Sequence, residues 1–299
     1  MEMRMKKVQI LMSTYNGQTY LKKQIESILA QTYPNIELII RDDGSKDRTV
    51  EILKEYEQRY ENINVVLEKN IGVTASFFSL IEKSNSDYIA FADQDDIWLP
   101  QKIEVAVQKL EKREKPALYA CNKVLIDKND DIIKENNKRE KQPSFSNALV
   151  ESICTGCTIV MNKRLVDLIK GHIPDQAVLH DWWCYLLSAY IGDVIYDKEA
   201  YIWYRQHGGN VVGASDHIWG KIKYNVKYIL KNRGKLGKQL NEFHAVYYGE
   251  EKKDKQLQRV IAADKFPNSL KIAFSKDVRR QNIVDEVIMR VLFVLHLML

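Results

Sequence analysis

Three aspartates stand close together in the first half of this 299-residue chain, at Asp93, Asp95 and Asp96. They directly follow the apolar run 88–92. Because like charges at this spacing repel one another, a folded protein keeps all of them ionised only where water or a cation compensates. Mg²⁺ and Mn²⁺ are bound by one or two carboxylates together with water and ligand phosphates. The triplet therefore predicts a divalent-metal and diphosphate site, and an acidic turn that caps a helix beginning near Pro100 is the alternative.

A second acidic pair, Asp42 and Asp43, follows another apolar run at 36–40. In an open sheet of parallel strands, ligands bind beyond the carboxyl ends of the strands, near the point where the strand order reverses. We therefore expect both acidic groups to face one crevice and to share a ligand. Since carboxylates accept hydrogen bonds from a pyrimidine imide or a ribose hydroxyl, Asp42 and Asp43 are candidate contacts for a nucleoside.

These acidic loops need a sheet to position them, and residues 1–130 show the pattern of one. Short apolar runs typical of strands alternate with stretches in which apolar residues recur at helical spacing, as at Leu21, Ile25 and Ile28. The strands are predicted at 8–12, 36–40, 63–67, 88–92, 118–126 and 156–161. The alternation predicts an α/β fold with a parallel, doubly wound sheet and helices on both faces.

Three sequence motifs follow one another in the order found in a known family. They lie at 11–17 (Leu-Met-Ser-Thr-Tyr-Asn-Gly), 41–47 (Arg-Asp-Asp-Gly-Ser-Lys-Asp) and 93–100 (Asp-Gln-Asp-Asp-Ile-Trp-Leu-Pro). Over about residues 6–212 the chain resembles the family 2 glycosyltransferases of GT-A fold. The resemblance implies a doubly wound, mostly parallel sheet and an inverting transfer of a sugar from a nucleotide-diphosphate donor, with Mg²⁺ or Mn²⁺ as cofactor.

The same resemblance assigns roles to individual residues. The residues that it implies for donor binding in these motifs are Thr14, Tyr15, Asp42, Asp43 and Asp93. Asp93 would approach the ribose and the diphosphate, and it would be the second carboxylate beside the metal. Asp95 would be the direct metal ligand.

An inverting transfer also needs a base that deprotonates the acceptor hydroxyl. The family often carries an acidic pair at the start of a helix for this purpose, and here His180 stands at its first position and Asp181 at its second. By this likeness Asp181 is the predicted catalytic base, and a plain helix cap is the alternative. Trp182 and Trp183 are the candidates for stacking on an acceptor sugar, although such an apolar helix should bury one of them in the core.

The segment 204–211, Tyr-Arg-Gln-His-Gly-Gly-Asn-Val, is a further candidate for donor binding. His207 could ligate the metal or contact a phosphate, and a structural histidine is the alternative. The segment resembles a stretch in bacterial rhamnosyltransferases of the same family, which implies a deoxysugar such as rhamnose from a thymidine-diphosphate donor. The Gln-x-x-Arg-Trp element of processive synthases is absent, which favours addition of one sugar per encounter to a surface polysaccharide or lipid-linked glycan.

The carboxyl-terminal part of the chain differs in charge from the rest. From Ile218 to Leu299 there are 17 Lys and Arg residues against 8 Asp and Glu residues, within helical patterns. We therefore predict a GT-A catalytic domain at 1–215, with a nucleotide-sugar half at 1–115 and an acceptor half at 116–215, and a basic helical appendage at 216–299. The appendage is predicted to contact anionic lipid or to pack on protein, either the catalytic domain or the second subunit of a homodimer.

Other classes of protein fit the sequence less well. Cys154 and Cys157 form a Cys-x-x-Cys pair but lack the second ligand pair of a zinc site, so free buried thiols are expected. A nucleotidyltransferase would share the fold and the metal but should carry a Gly-rich basic loop after the first strand. A nucleic-acid-binding protein is disfavoured because an acidic crevice repels phosphate. No apolar run of signal-peptide length opens the chain, which predicts a cytoplasmic protein, with peripheral contact at the inner face of the cell membrane.

Overall fold

The computed structural model describes residues 5–134, 141–207 and 234–299. The chain divides into two compact units, and each is assembled from separate stretches of sequence. The first unit comprises Met1–Glu140, Cys154–Ile173 and Gly192–His207, and the second comprises Lys141–Ile153, Pro174–Ile191 and Gly208–Leu299. The predicted domain boundary at 215 falls outside the described residues.

The first unit contains a mixed sheet with helices on both sides. Its strands are β1 (Val8–Thr14), β2 (Ile36–Asp42), β3 (Ile63–Leu67), β4 (Tyr88–Ala92), β5 (Ile97–Trp98), β6 (Ala117–Ile126), β7 (Ile132–Lys134), β8 (Ile159–Asn162) and β9 (Asp193–Arg205). Its helices are α1 (Leu21–Leu29), α2 (Thr49–Arg59), α3 (Val73–Lys83), α4 (Lys102–Leu110) and α6 (Lys163–Gly171). The predicted α/β fold is confirmed.

The strands are ordered β3-β2-β1-β4-β8-β6-β9-β5 across the sheet, with β7 paired to β6. The first four strands in the chain are parallel to one another, as predicted. Strand β8 is antiparallel to both of its neighbours, β4 and β6, whereas β6 and β9 are parallel. The sheet as a whole is therefore mixed, and the four parallel strands β1 to β4 lie within the predicted nucleotide-sugar half.

The parallel strands form in short, mainly apolar runs of the sequence. Every residue of β4 is buried, as expected for a strand covered on both faces. Helix α1 covers the sheet with Leu21, Ile25 and Ile28, which are fully buried and would each contribute about 1.5–3 kcal/mol through burial of apolar surface. The register pairs Thr14 with Asp42 and Met12 with Ala92, so the loops after β1, β2 and β4 leave the same edge of the sheet.

The predicted strand at 156–161 begins later than expected. Gly156–Thr158 forms a 3₁₀ turn, and extended structure starts at Ile159. Both the backbone N–H and the hydroxyl group of Thr158 donate to the Thr155 carbonyl, at 2.8 and 2.7 Å. Threonine favours such local bonding over a sheet ladder, and the turn places Cys157 beside β4.

The second unit is helical. Its helices are α5 (Phe145–Ala148), α7 (His180–Ile191), α8 (Lys235–Val246), α9 (Glu251–Ile261), α10 (Asn268–Ala273) and α11 (Ile283–Val294). Its core is aromatic, with the Trp183 ring 5.4 Å from Phe243 and 6.1 Å from Tyr247 between centroids. Among the described residues, no helix combines the length and the apolar character that a bilayer crossing requires.

Candidate active site

The loop after β2 is shaped by Asp42. Its Oδ1 accepts hydrogen bonds from Thr14 Oγ1 at 3.0 Å and from Ser45 Oγ at 2.6 Å, and its Oδ2 accepts from the backbone N–H groups of Gly44 and Ser45 at 3.1 and 2.8 Å. Gly44 has φ +79°, a conformation that other residues adopt only with strain. Since Asp42 and Thr14 are both buried and bonded to each other, they tie the loops after β1 and β2 together.

Asp43 joins the same loop to the segment that precedes α3. Its Oδ1 accepts from Ile71 N at 3.0 Å and its Oδ2 from Gly72 N at 2.9 Å. The carboxylate is also paired with the buried guanidinium group of Arg41. The carboxylates of Asp42 and Asp43 thus accept hydrogen bonds from neighbouring loops of the protein. The predicted contact of both residues with a nucleoside stays a prediction.

Tyr15 and Gln94 connect the loop after β1 with the acidic loop after β4. Gln94 Oε1 accepts from Tyr15 N at 2.9 Å, and Gln94 Nε2 donates to the Tyr15 carbonyl at 3.2 Å. A Cβ at Gly17 would stand 2.3 Å from Gln94 Oε1, so this link requires glycine there. The Tyr15 ring is 47% exposed and is available to stack on a nucleobase.

The three aspartates of the acidic loop have different surroundings. Asp93 is half-buried, the Asp95 side chain is 16% exposed, and Asp96 is fully buried. Asp96 Oδ1 accepts from the backbone N–H of Arg205 at 3.0 Å, which anchors the loop to the end of β9. Burial raises the pKa of Asp96 well above its usual range, and the charges of Asp93 and Asp95 raise it further. Asp96 is thus suited to anchoring the loop and Asp95 to carrying charge.

Asp95 is paired with His207. The His207 Nε2 atom lies 2.7 Å from Asp95 Oδ2. The His207 ring is stacked against Tyr20, with centroids 5.3 Å apart, and the Arg205 guanidinium group lies 4.4 Å from the centroid of the same tyrosine ring. Arg205 Nε also donates to the Asp95 carbonyl at 2.7 Å. The end of β9 therefore brings together two residues that are 112 positions apart in the chain.

Two groups of side chains in this unit could hold a divalent cation. Asp93, Asp96 and Cys157 place one ligand atom each within 4.8 Å of one another. Burial and the charges of Asp96 and Asp93 raise the pKa of the Cys157 thiol well above its usual range. Sulfur is in addition a soft ligand, whereas Mg²⁺ and Mn²⁺ prefer oxygen.

Asp95 and His207 fit Mg²⁺ or Mn²⁺ better. Adjacent ligands of an octahedral ion at its usual bond length lie about 3 Å apart. The present separation of 2.7 Å between Asp95 Oδ2 and His207 Nε2 is close to that value. The carboxylate of Asp95 is the donor type that Mg²⁺ and Mn²⁺ prefer, and Asp93 lies two residues away as a further oxygen donor.

Lys123 was not among the predicted site residues, and it lies beside Tyr204, the first residue of the candidate segment 204–211. Lys123 Nζ donates to Thr155 Oγ1 at 3.1 Å and lies 3.7 Å from the centroid of the Tyr204 ring. Burial raises the pKa of Tyr204, and the charges of Cys157 and Asp93 add to this effect. A positive group therefore stands beside the acidic loop. The available signal was a lysine within a mainly apolar strand, β6.

A second positive group, Lys102, lies in the interior of the same unit. It is fully buried, and its Nζ lies 3.4 Å from the centroid of the Trp98 ring. Burial lowers the pKa of Lys102 to about 8, against the opposing influence of Cys121, Cys157 and Asp96. An ammonium group over an aromatic face is attracted by the ring, and its charge also offsets the acidic loop.

The candidate acceptor-side residues belong to the second unit. Asp181 lies in the first turn of α7 and is half-buried, where the helix dipole stabilises a negative charge. Trp182 is half-buried and donates from Nε1 to the Ala148 carbonyl at 2.7 Å. Trp183 is fully buried in the aromatic core, which corrects its assignment to the acceptor site, because a buried ring offers no face to a sugar. The approach of Asp181 to the donor stays a prediction.

The chain is similar in sequence to a known family and to known proteins. The sequence model of the family described as "Glycosyl transferase family 2" matches residues 9–169. The dTDP-rhamnosyl transferase RfbG of Shigella flexneri is 32% identical over 237 residues, which make up 74% of this chain and 80% of that protein. Residues 9–169, which the family model matches, contain the three motifs at 11–17, 41–47 and 93–100.

Solved structures share the fold at low sequence identity. TarS of S. aureus, in complex with UDP-GlcNAc, has a TM-score of 0.58 at 16% identity and covers 97% of this chain and 81% of its own. The mannosyltransferase PcManGT from Pyrobaculum calidifontis, in complex with GDP-Man and Mn²⁺, has a TM-score of 0.54 at 14% identity, with coverages of 89% and 71%. These likenesses confirm the predicted GT-A architecture.

Proposed function

Because the chain belongs to glycosyl transferase family 2, we propose that it moves one sugar from a nucleoside-diphosphate donor to an acceptor hydroxyl, with Mg²⁺ or Mn²⁺ held at Asp95. The observation that carries the proposal is the pairing of Asp95 with His207 at 2.7 Å, at the edge of the sheet where the loops after β1, β2 and β4 meet. This arrangement offers a cation site next to a surface suited to a nucleoside diphosphate.

The proposed donor is a thymidine-diphosphate deoxysugar such as dTDP-rhamnose. The relative from Shigella flexneri supports this choice through its printed activity. In the donor site, Tyr15 stacks on the base, while Thr14, Asp42 and Asp43 hold the surrounding loops and present the nucleoside pocket. These contacts belong to the proposed nucleotide-sugar half at 1–115.

The proposed chemistry is a direct displacement at the anomeric carbon. Asp181 accepts the proton of the acceptor hydroxyl, the acceptor oxygen forms the new glycosidic bond, and the bond between the anomeric carbon and the diphosphate oxygen breaks with its electrons on the diphosphate. A bound cation supplies positive charge to the departing diphosphate. Lys123, beside the acidic loop, supplies a second positive charge from the protein itself.

The proposed acceptor is a hydroxyl of a surface polysaccharide or of a lipid-linked glycan, bound by the acceptor half at 116–215. Trp182 is the remaining candidate for stacking on an acceptor sugar, since its side chain is half-buried. Such acceptors are made at membranes, so we place the protein at the inner face of the cell membrane, with its carboxyl-terminal region as the contact.

A panel of nucleotide-sugars tests the proposal. The purified chain should hydrolyse its donor slowly in the absence of acceptor, release nucleoside diphosphate, and do so only with Mg²⁺ or Mn²⁺. We expect dTDP-rhamnose to be hydrolysed faster than the UDP- and GDP-sugars. Equal hydrolysis in excess chelator would contradict the metal site, and pyrophosphate exchange into a nucleoside triphosphate would identify a nucleotidyltransferase instead.

A further inference from the structure

Helix α11 in the second unit is apolar on two opposite sides. Met289, Leu292 and Phe293 are buried in the unit. On the other side, Val287 and Val291 are both exposed. A helix on the surface of a protein usually has one apolar side and one polar side, so the second, exposed apolar side of α11 is a side that no described residue covers.

The exposed side of α11 continues into the chain that precedes it. Phe266 is 71% exposed before α10, Phe274 is 79% exposed after α10, and Ile283 is 79% exposed at the start of α11. We define the α10–α11 surface by Phe266, Phe274, Ile283, Val287, Val291 and Leu295. Four of these side chains, Phe274, Val287, Val291 and Leu295, line one groove, and Phe266 and Ile283 are exposed in the same stretch of chain. Exposed apolar side chains in such number mark a site of interaction with protein or membrane.

The α10–α11 surface contains a groove of about 240 Å³ between Phe274 and the exposed side of α11. Arg290 borders the groove, but its guanidinium group is bonded to other residues of the same unit. Its Nε donates to Glu286 at 2.8 Å, and its guanidinium group also donates to the carbonyls of Ala273 and Ser275 at 2.5 and 3.1 Å. The groove therefore offers apolar side chains to whatever binds there.

The charges in the stretch 264–280 of this surface are mostly positive, and α11 adds the acids Asp285 and Glu286, of which Glu286 is bonded to Arg290. Lys265, Lys271 and Lys276 are exposed, and none has an ion-pair partner among the described residues. Asp277, in contrast, is bound by Arg259 through two contacts of 2.8 Å. Asp264 is the other acid of the stretch 264–280 and is exposed. Lysines thus flank both exposed phenylalanines, and the balance of accessible charge suits an anionic surface.

The combination of phenylalanine with lysine favours a membrane over a protein partner as the occupant of the α10–α11 surface. The core of a protein interface is depleted in lysine. Interfacial membrane segments combine lysine with phenylalanine and leucine, because the apolar rings enter the acyl boundary while the ammonium groups meet the lipid phosphates. We propose that the α10–α11 surface docks on a membrane with anionic headgroups, with Phe266 and Phe274 inserted. This deepens the proposed function, which places the acceptor at a membrane.

The test is co-sedimentation of the full chain with vesicles of phosphatidylcholine alone and of phosphatidylcholine mixed equally with phosphatidylglycerol. We expect binding to the mixed vesicles, weaker at high salt. The double variant Phe266→Ser with Phe274→Ser should bind at least about tenfold less, since two large apolar side chains are lost from the contact. Tyr248→Ser is the matched control, because Tyr248 is 82% exposed in the same unit but outside the surface.

The outcomes separate this inference from its rivals. Unchanged vesicle binding by the double variant would overturn it, as would wild-type protein that ignores vesicles and forms a dimer that the double variant abolishes in light scattering. Replacement of Lys265, Lys271 and Lys276 by Gln should weaken binding only to the anionic vesicles. Hydrolysis of the soluble donor, measured on each variant, should be unaffected. Wild-type protein that binds vesicles but hydrolyses no nucleotide-sugar would refute the proposed function and leave this inference standing.

Discussion

Asp95 and Asp96 are neighbours in the sequence and differ in chemistry because their surroundings differ. Asp96 is buried and receives the backbone N–H of Arg205, whereas Asp95 is partly exposed and faces His207. The sequence indicated which residue would carry the metal only through the family resemblance. The pairing with His207 depends on β9 returning to the edge of the sheet, and no local pattern encodes that contact.

The first prediction concerns this pair. Asp95→Asn should abolish metal-dependent hydrolysis of the donor, and His207→Gln should weaken Mn²⁺ binding by at least the roughly tenfold to hundredfold that loss of an outer-shell partner costs. Both effects follow from removal of a charged or nitrogen donor from the proposed site. Release of nucleoside diphosphate measures the hydrolysis of the donor. Calorimetric titration with Mn²⁺ in the presence of nucleoside diphosphate measures the affinity for the metal.

Cys157→Ser is the control that distinguishes the two candidate cation groups. It removes the sulfur of the Asp93, Asp96 and Cys157 group while leaving Asp95 and His207 untouched. Mn²⁺ affinity should stay within about twofold of wild type if the ion is held at Asp95. A large loss in Cys157→Ser together with normal binding in His207→Gln would place the ion in the other group.

At the scale of elements, the sequence predicted the first half of the sheet closely. The strands β1, β2, β3 and β4 begin at the expected residues because each is an apolar run bounded by polar loops. The antiparallel direction of β8 in the sheet was not predicted, since the direction of a strand depends on the path of the chain and not on the composition of the strand. The 3₁₀ turn at Gly156–Thr158 was missed because hydrogen bonds of Thr158 to the Thr155 carbonyl delay the start of the predicted strand to Ile159.

The second prediction concerns the contact between two loops. Gly17→Ala should displace Gln94 and break its bonds to Tyr15, because the new Cβ would stand 2.3 Å from Gln94 Oε1. The clash is with the end of a flexible side chain, so Tm should change by no more than about 3 °C, or about 1 kcal/mol. The value of kcat/KM for the donor should fall, by up to roughly a hundredfold, through misplacement of the acidic loop.

A double-mutant cycle checks this explanation. Gln94→Ala removes the same link from the other side, so its effect and that of Gly17→Ala should not add in the double variant. Additive losses in kcat/KM would show that Gly17 acts on donor binding by another route.

The third prediction concerns the start of α7. Burial lowers the pKa of His180 to about 3, so the folded chain keeps it neutral while the unfolded chain protonates it near pH 6.5. Below pH 6.5 the unfolded state therefore binds more protons, and stability falls as the pH falls towards 3. At pH 5 the loss relative to pH 8 should be about 2 kcal/mol from this residue.

Denaturant unfolding at several pH values measures that loss. His180→Asn should be less stable than wild type at pH 8 but should lose less stability on acidification, so the two curves converge. Parallel curves for wild type and His180→Asn would contradict the assignment.

At the scale of the whole molecule, the candidate residues are divided between two units. Thr14, Asp95 and His207 belong to the first, and Asp181 and Trp182 belong to the second. The second unit takes residues 141–153 and 174–191 from within the stretch predicted as one catalytic domain. Sequence composition revealed the basic carboxyl-terminal part but not this assembly, because the shared aromatic core of α7 and α8 depends on contacts across 60 residues of chain, as between Trp183 and Phe243.

The last prediction follows from that division. Asp181→Asn keeps the shape of the side chain and its place at the start of α7 but removes the proton acceptor. Transfer to the acceptor should fall by at least about a hundredfold, as is typical for loss of a general base, while the affinity for nucleoside diphosphate with Mn²⁺ stays at the wild-type value. Asp95→Asn should lower both quantities, since the metal mediates the contact with the diphosphate.

Calorimetry and transfer kinetics on the same two variants decide the matter. The slow hydrolysis of the donor by water is measured on the same variants as an internal comparison. A large excess of a small acceptor should not restore transfer by Asp181→Asn, because the missing proton acceptor is not replaced. If Asp181→Asn transferred sugar at nearly the wild-type rate, the base would have to be sought among other acids, with Asp175 of the same unit first. If it lost donor affinity as Asp95→Asn does, Asp181 would belong to the donor site, and the proposed division of binding and proton transfer between the two units would be wrong.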